Sequence, residues 1–564
     1  MLFGAAASLG AQSQATTGII RGVVSDPNGA PVANATVILH ETQTNFTRTL
    51  MTDAAGNFTG TLLPLGRYEV TARSVGFAEV KQTGIVLGVG ETVDLRLALA
   101  AVTLPAVTVE ARQPVVDVTK PEASTPLAAD VVSGLPNNGR NFISLTLLTP
   151  NVAIVQGPDG DELTVAGQRG IHNNVSVDGA DFNNSFFGEQ RGGQRPAFTF
   201  NLDAVQEMVV IAGGANAEFG RSSSGFVNVI TKSGTNQTKG SFHYFGKWDA
   251  LSGSPEHTYP SGQVTTFQPD FSQSQFGFTL GGPLKRDRVF YFLAYDQQIY
   301  DDVKQKDRPS SPALDSLTTF LSTRYPELAS DFGPIARTND ARAGLAKVDF
   351  RLSDRHTLSL KYNYTWSEQK NGTFDVDTWG ASANGLEKDW SHAVNGGLVS
   401  FLSSHASNEF RFQWAREDRP RPYDGPVNHL GDTTGVSSIF GAAVPFHDTD
   451  IDPNNAFRIG LPFFLPIRDD HDTRVQLLDN VSISRGNHLI KLGGEWNRTS
   501  TTQVFVGFAG GRMAFSSVHG FENFVNQGSH YIECSNGSSG VYPGFSCTAP
   551  DSIVGPVLLY LQQS

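Results

Sequence analysis

The chain has 564 residues, too many for one ordinary domain, and 17% of them are charged. With 58 Gly and 38 Phe against 4 Met, the composition excludes a disordered tail and a helical enzyme, and points to many short strands and turns. A net charge of −13, with no Lys/Arg-rich block, excludes a nucleic-acid surface.

Residues 1–15 read as the remnant of a secretory signal: an apolar run, then small residues at Leu9-Gly10-Ala11, with no basic stretch ahead of them. An unstructured cytosolic N-terminus is the alternative. No stretch reaches the roughly 18 apolar residues of a spanning helix, which excludes a helical membrane protein and leaves a β-barrel open.

Residues 17–99 alternate in short segments, Ile19–Val24, Ala35–Glu41, Gly56–Leu62, Arg67–Arg73 and Thr92–Leu99. Turn residues separate them, as at Asp26-Pro27-Asn28-Gly29 and Pro64-Leu65-Gly66. This spacing predicts a small antiparallel sandwich, with Tyr68 in a tyrosine corner whose hydroxyl ties back to nearby backbone. The set Gly22-Val23-Val24, Asp26, Gly29, Pro31-Val32, Thr52-Asp53, Gly56-Asn57-Phe58, Gly66-Arg67-Tyr68 and Gly76-Phe77 resembles the carboxypeptidase regulatory-like domain. That resemblance implies a transthyretin/Ig-like β-sandwich with an accessory role.

Residues 104–234 mix short helices and strands. Asn141–Leu148 is expected to be a short helix stopped by Thr149-Pro150, because the residue before proline avoids the helical region. Leu202–Glu207 is expected to be another, leading into a strand at Met208–Ile211.

From residue 240 onward a period of two dominates. Lys347, Asp349 and Arg351 alternate with Ala346, Val348 and Phe350. Leu358, Leu360, Tyr362 and Tyr364 alternate with Ser359, Lys361 and Asn363, and Phe410, Phe412 and Trp414 with Glu409, Arg411 and Gln413. A soluble sandwich and a barrel both show this pattern; connection lengths separate them. Short turns at Gly282–Asp287, Ser353–Arg355, Ser403–Ala406 and Arg485–Asn487 alternate with long stretches at 300–342, 367–391, 417–471 and 500–552. Outer-membrane barrels are wired in this way. About ten strand candidates are present, the last at Val557–Gln562.

Three further runs resemble TonB-dependent receptors, in particular their Oar-like group. Ala106-Val107-Thr108-Val109-Glu110-Ala111 is similar to a TonB box, a segment able to pair as an added strand on a partner's sheet edge. By itself it reads equally as a linker strand after the sandwich. Asn173–Asp181, containing Val177, Asp178 and Gly179, is similar to the plug's strand and turn. Ala217–Gly220 with Gly225–Asn236, containing Gly225, Asn228, Thr231, Lys232 and Gly234, is similar to the plug's end before the first barrel strand. The resemblance implies a mainly β protein: sandwich, α+β plug (with the box, 104–234), then an antiparallel transmembrane β-barrel from 240 to 564. Such barrels have about 22 strands, so this chain is expected to be an N-terminal fragment holding the first half. Implied partners are a periplasmic TonB-type energy-coupling protein, outer-membrane lipid and an extracellular ligand whose identity the sequence does not disclose. The implied function is ligand uptake across the outer membrane of a Gram-negative-type bacterium. The alternative is a surface role in adhesion, signalling or export assistance.

No catalytic constellation is found. His519 and Glu522 have the spacing of a zinc carboxypeptidase pair, but His530 follows too closely to complete a ligand set. HExxH, GxSxG and P-loop motifs are absent. A non-enzyme without metal or cofactor is expected. Cys534 and Cys547 suit a loop disulfide of an exported protein, with two buried thiols as the alternative.

Overall fold

The computed structural model describes residues 16–101, 107–110, 123–157, 160–186, 189–192, 198–254, 256–258, 262, 264–266, 270–304, 310–372, 378–429, 446–462, 467–486, 488–505, 507–508 and 511–561. The signal-like residues 1–15 lie outside them.

The N-terminal unit contains β1 (Gly18–Ser25), β2 (Thr36–Glu41), β3 (Thr47–Met51), β4 (Asn57–Leu63), β5 (Gly66–Arg73), β6 (Phe77–Ala78), β7 (Val80–Leu87), β8 (Thr92–Ala98), β9 (Ala100–Ala101) and β10 (Val107–Glu110). Two sheets face each other, β4-β1-β8 and β10-β7-β5-β2-β3, with β6 and β9 pairing separately. Inward residues such as Ile20, Val37, Leu39, Val70, Ile85 and Leu97 fill the space between them. The Asp26 carboxylate accepts the N–H groups of Asn28 and Ala30 at 2.9 and 2.8 Å, which closes the first predicted turn. The Tyr68 hydroxyl donates to the Pro64 carbonyl at 2.7 Å, as the tyrosine corner requires. β3 and β7 escaped the sequence reading. Each has polar residues at several of its positions, and pairing with β2 and β5 is what fixes them as strands.

The second unit contains β11 (Ala123–Ala128), β12 (Val152–Gly157), β13 (Gly160–Val165), β14 (Asn174–Val177), β15 (Ala180–Asp181), β16 (Val205–Gly213) and β17 (Phe226–Thr231). Its main sheet runs β11-β16-β17-β14-β15, with β14 and β17 parallel. Phe142–Leu148 is a 3₁₀ helix whose N-cap, Asn141, accepts the Ile143 N–H at 3.0 Å. The helix expected at Leu202–Glu207 is shorter than predicted: only Leu202–Ala204 turns, and the strand begins at Val205 rather than Met208. Val205 already pairs with Thr231 in the ladder, and that bond overrides a local helical preference.

The third unit is a sheet of long antiparallel strands in sequence order: Lys239–Trp248, Phe271–Lys285, Val289–Lys304, Asp340–Arg351, His356–Lys370, Leu386–Phe401, Ala406–Asp418, Ile467–Arg485 and His488–Phe505. Ile335–Thr338 adds a short pairing beside Lys304. Among the described residues the first and last of these strands are not paired with each other. In hydrocarbon each such edge requires a partner. The candidate strand Val557–Gln562 is not part of this sheet. Val557–Leu561 pairs with Arg512–Phe515 in a four-stranded sheet built from the loops, and Gln562 lies outside the described residues.

Short turns gather at one end of the sheet and long loops at the other. The long loops carry structure of their own. Helix α1 (Pro312–Arg324) starts at the Ser311 cap with Pro312 in its first turn, and it buries Leu314, Leu317 and Leu321 along one stripe. Those leucines join Phe446, Ile451, Phe457, Phe515 and Phe521, drawn from other long loops, in one apolar core. Cys534 and Cys547 are joined by a disulfide in the last long loop.

Candidate functional site: the second unit against the wall of long strands

In the long-stranded sheet burial is inverted relative to a soluble protein. Phe278, Tyr362 and Trp414 are 44%, 40% and 36% exposed, whereas Gln275, Lys361 and Gln413, of the opposite alternation, are 2%, 4% and 3% exposed. Water on the outer face would leave these aromatics unburied; lipid solvates them, and the polar set turns inward to the second unit.

That inward set is what holds the second unit. Between β14 and β15 the chain turns through Asp178 and Gly179, both with positive φ (52° and 69°), the geometry of a type I′ hairpin that Asp-Gly supplies readily. The turn delivers the Asp178 carboxylate to Thr231 at the end of β17, whose N–H and hydroxyl donate to it at 2.8 and 2.7 Å. From the wall, the Lys361 ammonium donates to Asp178 at 2.6 Å and to the Val177 carbonyl at 3.2 Å. Lys347, directly opposite Lys361 on the adjacent strand, donates to the Thr231 hydroxyl at 3.3 Å. Burial alone raises the Asp178 pKa; the two ammonium groups and the Thr231 hydroxyl outweigh it and hold the carboxyl well below its ordinary value.

The remaining motif residues lie around this clasp. Val177 is buried in the unit's core, and Asn228 accepts from the Ser176 hydroxyl across the parallel β14–β17 pair at 2.8 Å. Gly225, just before β17, receives the Asn173 side-chain oxygen on its N–H at 3.2 Å. Lys232, its ammonium pKa lowered by burial, donates its backbone N–H to Ala204 at 2.8 Å. At Gly234 a Cβ would fall 2.3 Å from the Tyr291 carbonyl and 2.6 Å from that of Gly282, so only glycine lets the chain pass this close to the wall.

Further contacts were not singled out from the sequence. Asp181 is paired with Arg474 of the wall and Arg221 of its own unit. Glu417 accepts from the Asn184 side chain at 2.7 Å and the Gly192 N–H at 2.5 Å, and Asp472 from the Ser185 N–H at 2.9 Å. The polar register of each strand marked these wall residues as one face; which residue of the second unit each would meet is a tertiary fact with no local signal.

The N-terminal sandwich sits at the short-turn end. Phe401 inserts into its core, with the Arg48 guanidinium 4.3 Å above the ring, and Thr61 and Ser407 share a 2.6 Å hydrogen bond. Asn45 donates to Asp287 at 2.7 Å, and Glu207 of the second unit accepts the Val89 N–H at 2.9 Å. A cavity of about 290 Å³ remains where the three units meet, bordered by Glu41, Leu62, Asp178, Thr231, Lys347 and Lys361. Of the box-like run, Ala106 and Ala111 lie outside the described residues; Val107–Glu110 is β10, paired with the sandwich.

Residues 230–324 and 312–530 match the outer membrane beta barrel domain, together more than half of the chain. The chain belongs to the outer-membrane β-barrel family. It is an outer-membrane protein, mainly β, and residues 19–100 match the carboxypeptidase regulatory-like domain. The TonB-dependent transporter Oar of Myxococcus xanthus is 27% identical over 426 residues, 72% of this chain and 37% of Oar. The chain thus spans little more than a third of the length of that curated relative. Among solved structures, the outer membrane transporter YddB from Escherichia coli is similar at 13% identity and a TM-score of 0.49, over 70% of this chain and 50% of YddB. The ferric enterobactin receptor of Pseudomonas aeruginosa is similar at 14% and 0.43, over 67% and 49%. Among the described residues no helix is long and apolar enough to cross a membrane, which says nothing of crossing by strands.

Proposed function

We propose that this chain works as a TonB-dependent receptor that takes up a scarce extracellular ligand. In this reading residues 17–99 are a periplasmic accessory sandwich, 104–234 the box and plug, and 240–564 barrel wall and outer loops. A TonB-type protein engages Ala106–Ala111 and pulls, and the plug moves. The observation that supports this most directly is the clasp at Asp178: buried ions and hydrogen bonds join the plug to the wall, beside an apolar cluster to which the wall contributes Phe292, Ala294 and Leu345. Separating them exposes ions to water, which solvates them, so a pull on the chain meets a finite set of contacts. The outer-loop core, at the opposite end, presents the ligand-facing surface.

Deletion of residues 106–111 tests the reading. Uptake into cells is expected to stop while binding of the ligand at the cell surface persists. Unchanged uptake overturns the mechanism and favours a passive surface role.

A further inference from the structure

The cavity where the three units meet has two unlike sides. Phe46, Leu62 and Leu65 of the sandwich and Ile230 of the second unit give it a mostly apolar roof. Its floor is a row of the wall, in which Asp349, Ser359, Gly397 and Arg411 are successive cross-strand partners on four adjacent strands. The two central residues are small, so the floor is recessed between an acid and a base. At Gly397 a Cβ would meet nothing within 4 Å, so the recess is open to the cavity.

Five carboxylates border this space, and four of them are already matched. Glu41 accepts the N–H groups of Gln43 and Thr44 at 3.0 and 2.8 Å. Asp178 accepts from Lys361 at 2.6 Å, Asp287 from Asn45 and Asn236 at 2.7 Å each, and Glu409 from Arg411 at 2.6 Å. Asp349 is the exception. Among the described residues none donates to it, and its Oδ2 is closed off from solvent. Lys347, two residues earlier on the same face, is turned to the Thr231 hydroxyl. A carboxylate oxygen held there without a donor is costly, so the site favours a ligand that brings one. An anion gains less, because Arg411 is already committed to Glu409 and Thr16.

We propose that this cavity binds a small amphipathic amine, its ammonium donating to Asp349 and its apolar body lying under Leu62, Leu65 and Ile230. At about 290 Å³ the space is at the lower end of small-molecule sites, which limits the ligand to a single ring or a short chain. Such a ligand touches all three units at once. Its site exists only while they are docked, so binding shifts the population toward the docked state. The amine is therefore a lock on the junction. The consequence for uptake rests on the reading of residues 104–234 as a plug; the binding itself does not.

Equilibrium dialysis of phenethylamine against the full chain in detergent micelles tests the site, with 2-phenylethanol as the neutral probe of like shape. Saturable binding is expected, at least about tenfold tighter for the amine, because only the amine makes a charge-assisted bond. Asp349→Asn is expected to erase that preference. Gly397→Leu, whose side chain enters the open recess, is expected to abolish binding of both probes. Unchanged hydrogen exchange in Asp340–Arg351 and Leu386–Phe401 shows that the variants remain folded. The N–H groups of Ser185 and Gly192 donate to Asp472 and Glu417 of the wall, do not border the cavity, and report separation of the units. At about ten times the dissociation constant of the amine their exchange is expected to slow by about tenfold. No saturable binding, or binding that both variants leave unchanged, overturns the site. Binding with unchanged exchange at Ser185 and Gly192 overturns the lock. Neither readout uses uptake or a TonB-type partner, so failure of the plug reading leaves both intact.

Discussion

At the scale of single residues, the clasp stands on one carboxylate facing two ammonium groups. Lys361→Met leaves the partly buried Asp178 without its nearest cation, which costs up to about 3–5 kcal/mol. Urea titration followed by a probe in the plug is expected to show the loss, with partial recovery in Lys361→Met/Asp178→Asn. The pH dependence has a definite sign. Asp178 has a folded pKa below its ordinary 3.8, and Asp203 is drawn down to about 2 by His243 and Arg140 against the opposing effect of burial. Depressed carboxylates contribute stability that is fully present above their ordinary value and lost as pH falls through the folded one. These two groups therefore leave plug docking unchanged from neutral pH to just above 4, with the loss beginning below that; a loss centred near pH 6 contradicts the assignment. Gly234→Ala places a methyl against two backbone carbonyls that cannot rotate away, so about 1–3 kcal/mol of destabilisation is expected in the same titration.

At the scale of elements, the sandwich depends on a residue the barrel supplies. Phe401→Ala removes a ring from the sandwich core and is expected to cost about 3–5 kcal/mol of docking. Hydrogen exchange of β4 and of the first residues of Ala406–Asp418 should rise together; a rise in neither shows that the two units are not clamped there. Much at this scale was legible in the sequence. The period of two located the barrel strands, the Asp26–Gly29 and Pro64–Gly66 turns located sandwich corners, and Asn141 and Pro150 bracketed a helical turn. What was not legible depended on partners distant in sequence. Val205–Glu207 became strand because Thr231 and Ile230 lie beside it, and Val557–Leu561 took Arg512–Phe515 as its neighbour. β10 has no local mark that sets it on β7 rather than in a free linker. Lys347 and Lys361 were visible as members of a polar face, but their convergence on Asp178 is a product of register between strands.

At the scale of the whole molecule, the inverted face of the long sheet is the property that separates a membrane wall from a soluble sandwich. Leu360→Arg, at an outward position 44% exposed, is expected to cost up to about 2–4 kcal/mol in a bilayer, depending on its depth. A soluble protein would tolerate the same change, so stability measured in lipid vesicles decides between them. The three units meet at a cavity at the short-turn end, and the long loops share an apolar core at the other. The account as a whole turns on movement of the plug away from the wall. Ala180, buried beside Asp178 in the β15 hairpin, reports that movement most directly. In whole cells carrying Ala180→Cys, labelling by a membrane-impermeant maleimide is expected to be slow when the inner membrane is de-energised. It should be at least about tenfold faster when energised, and the acceleration should vanish on deletion of residues 106–111. Equal labelling rates with and without energisation would contradict a plug that moves.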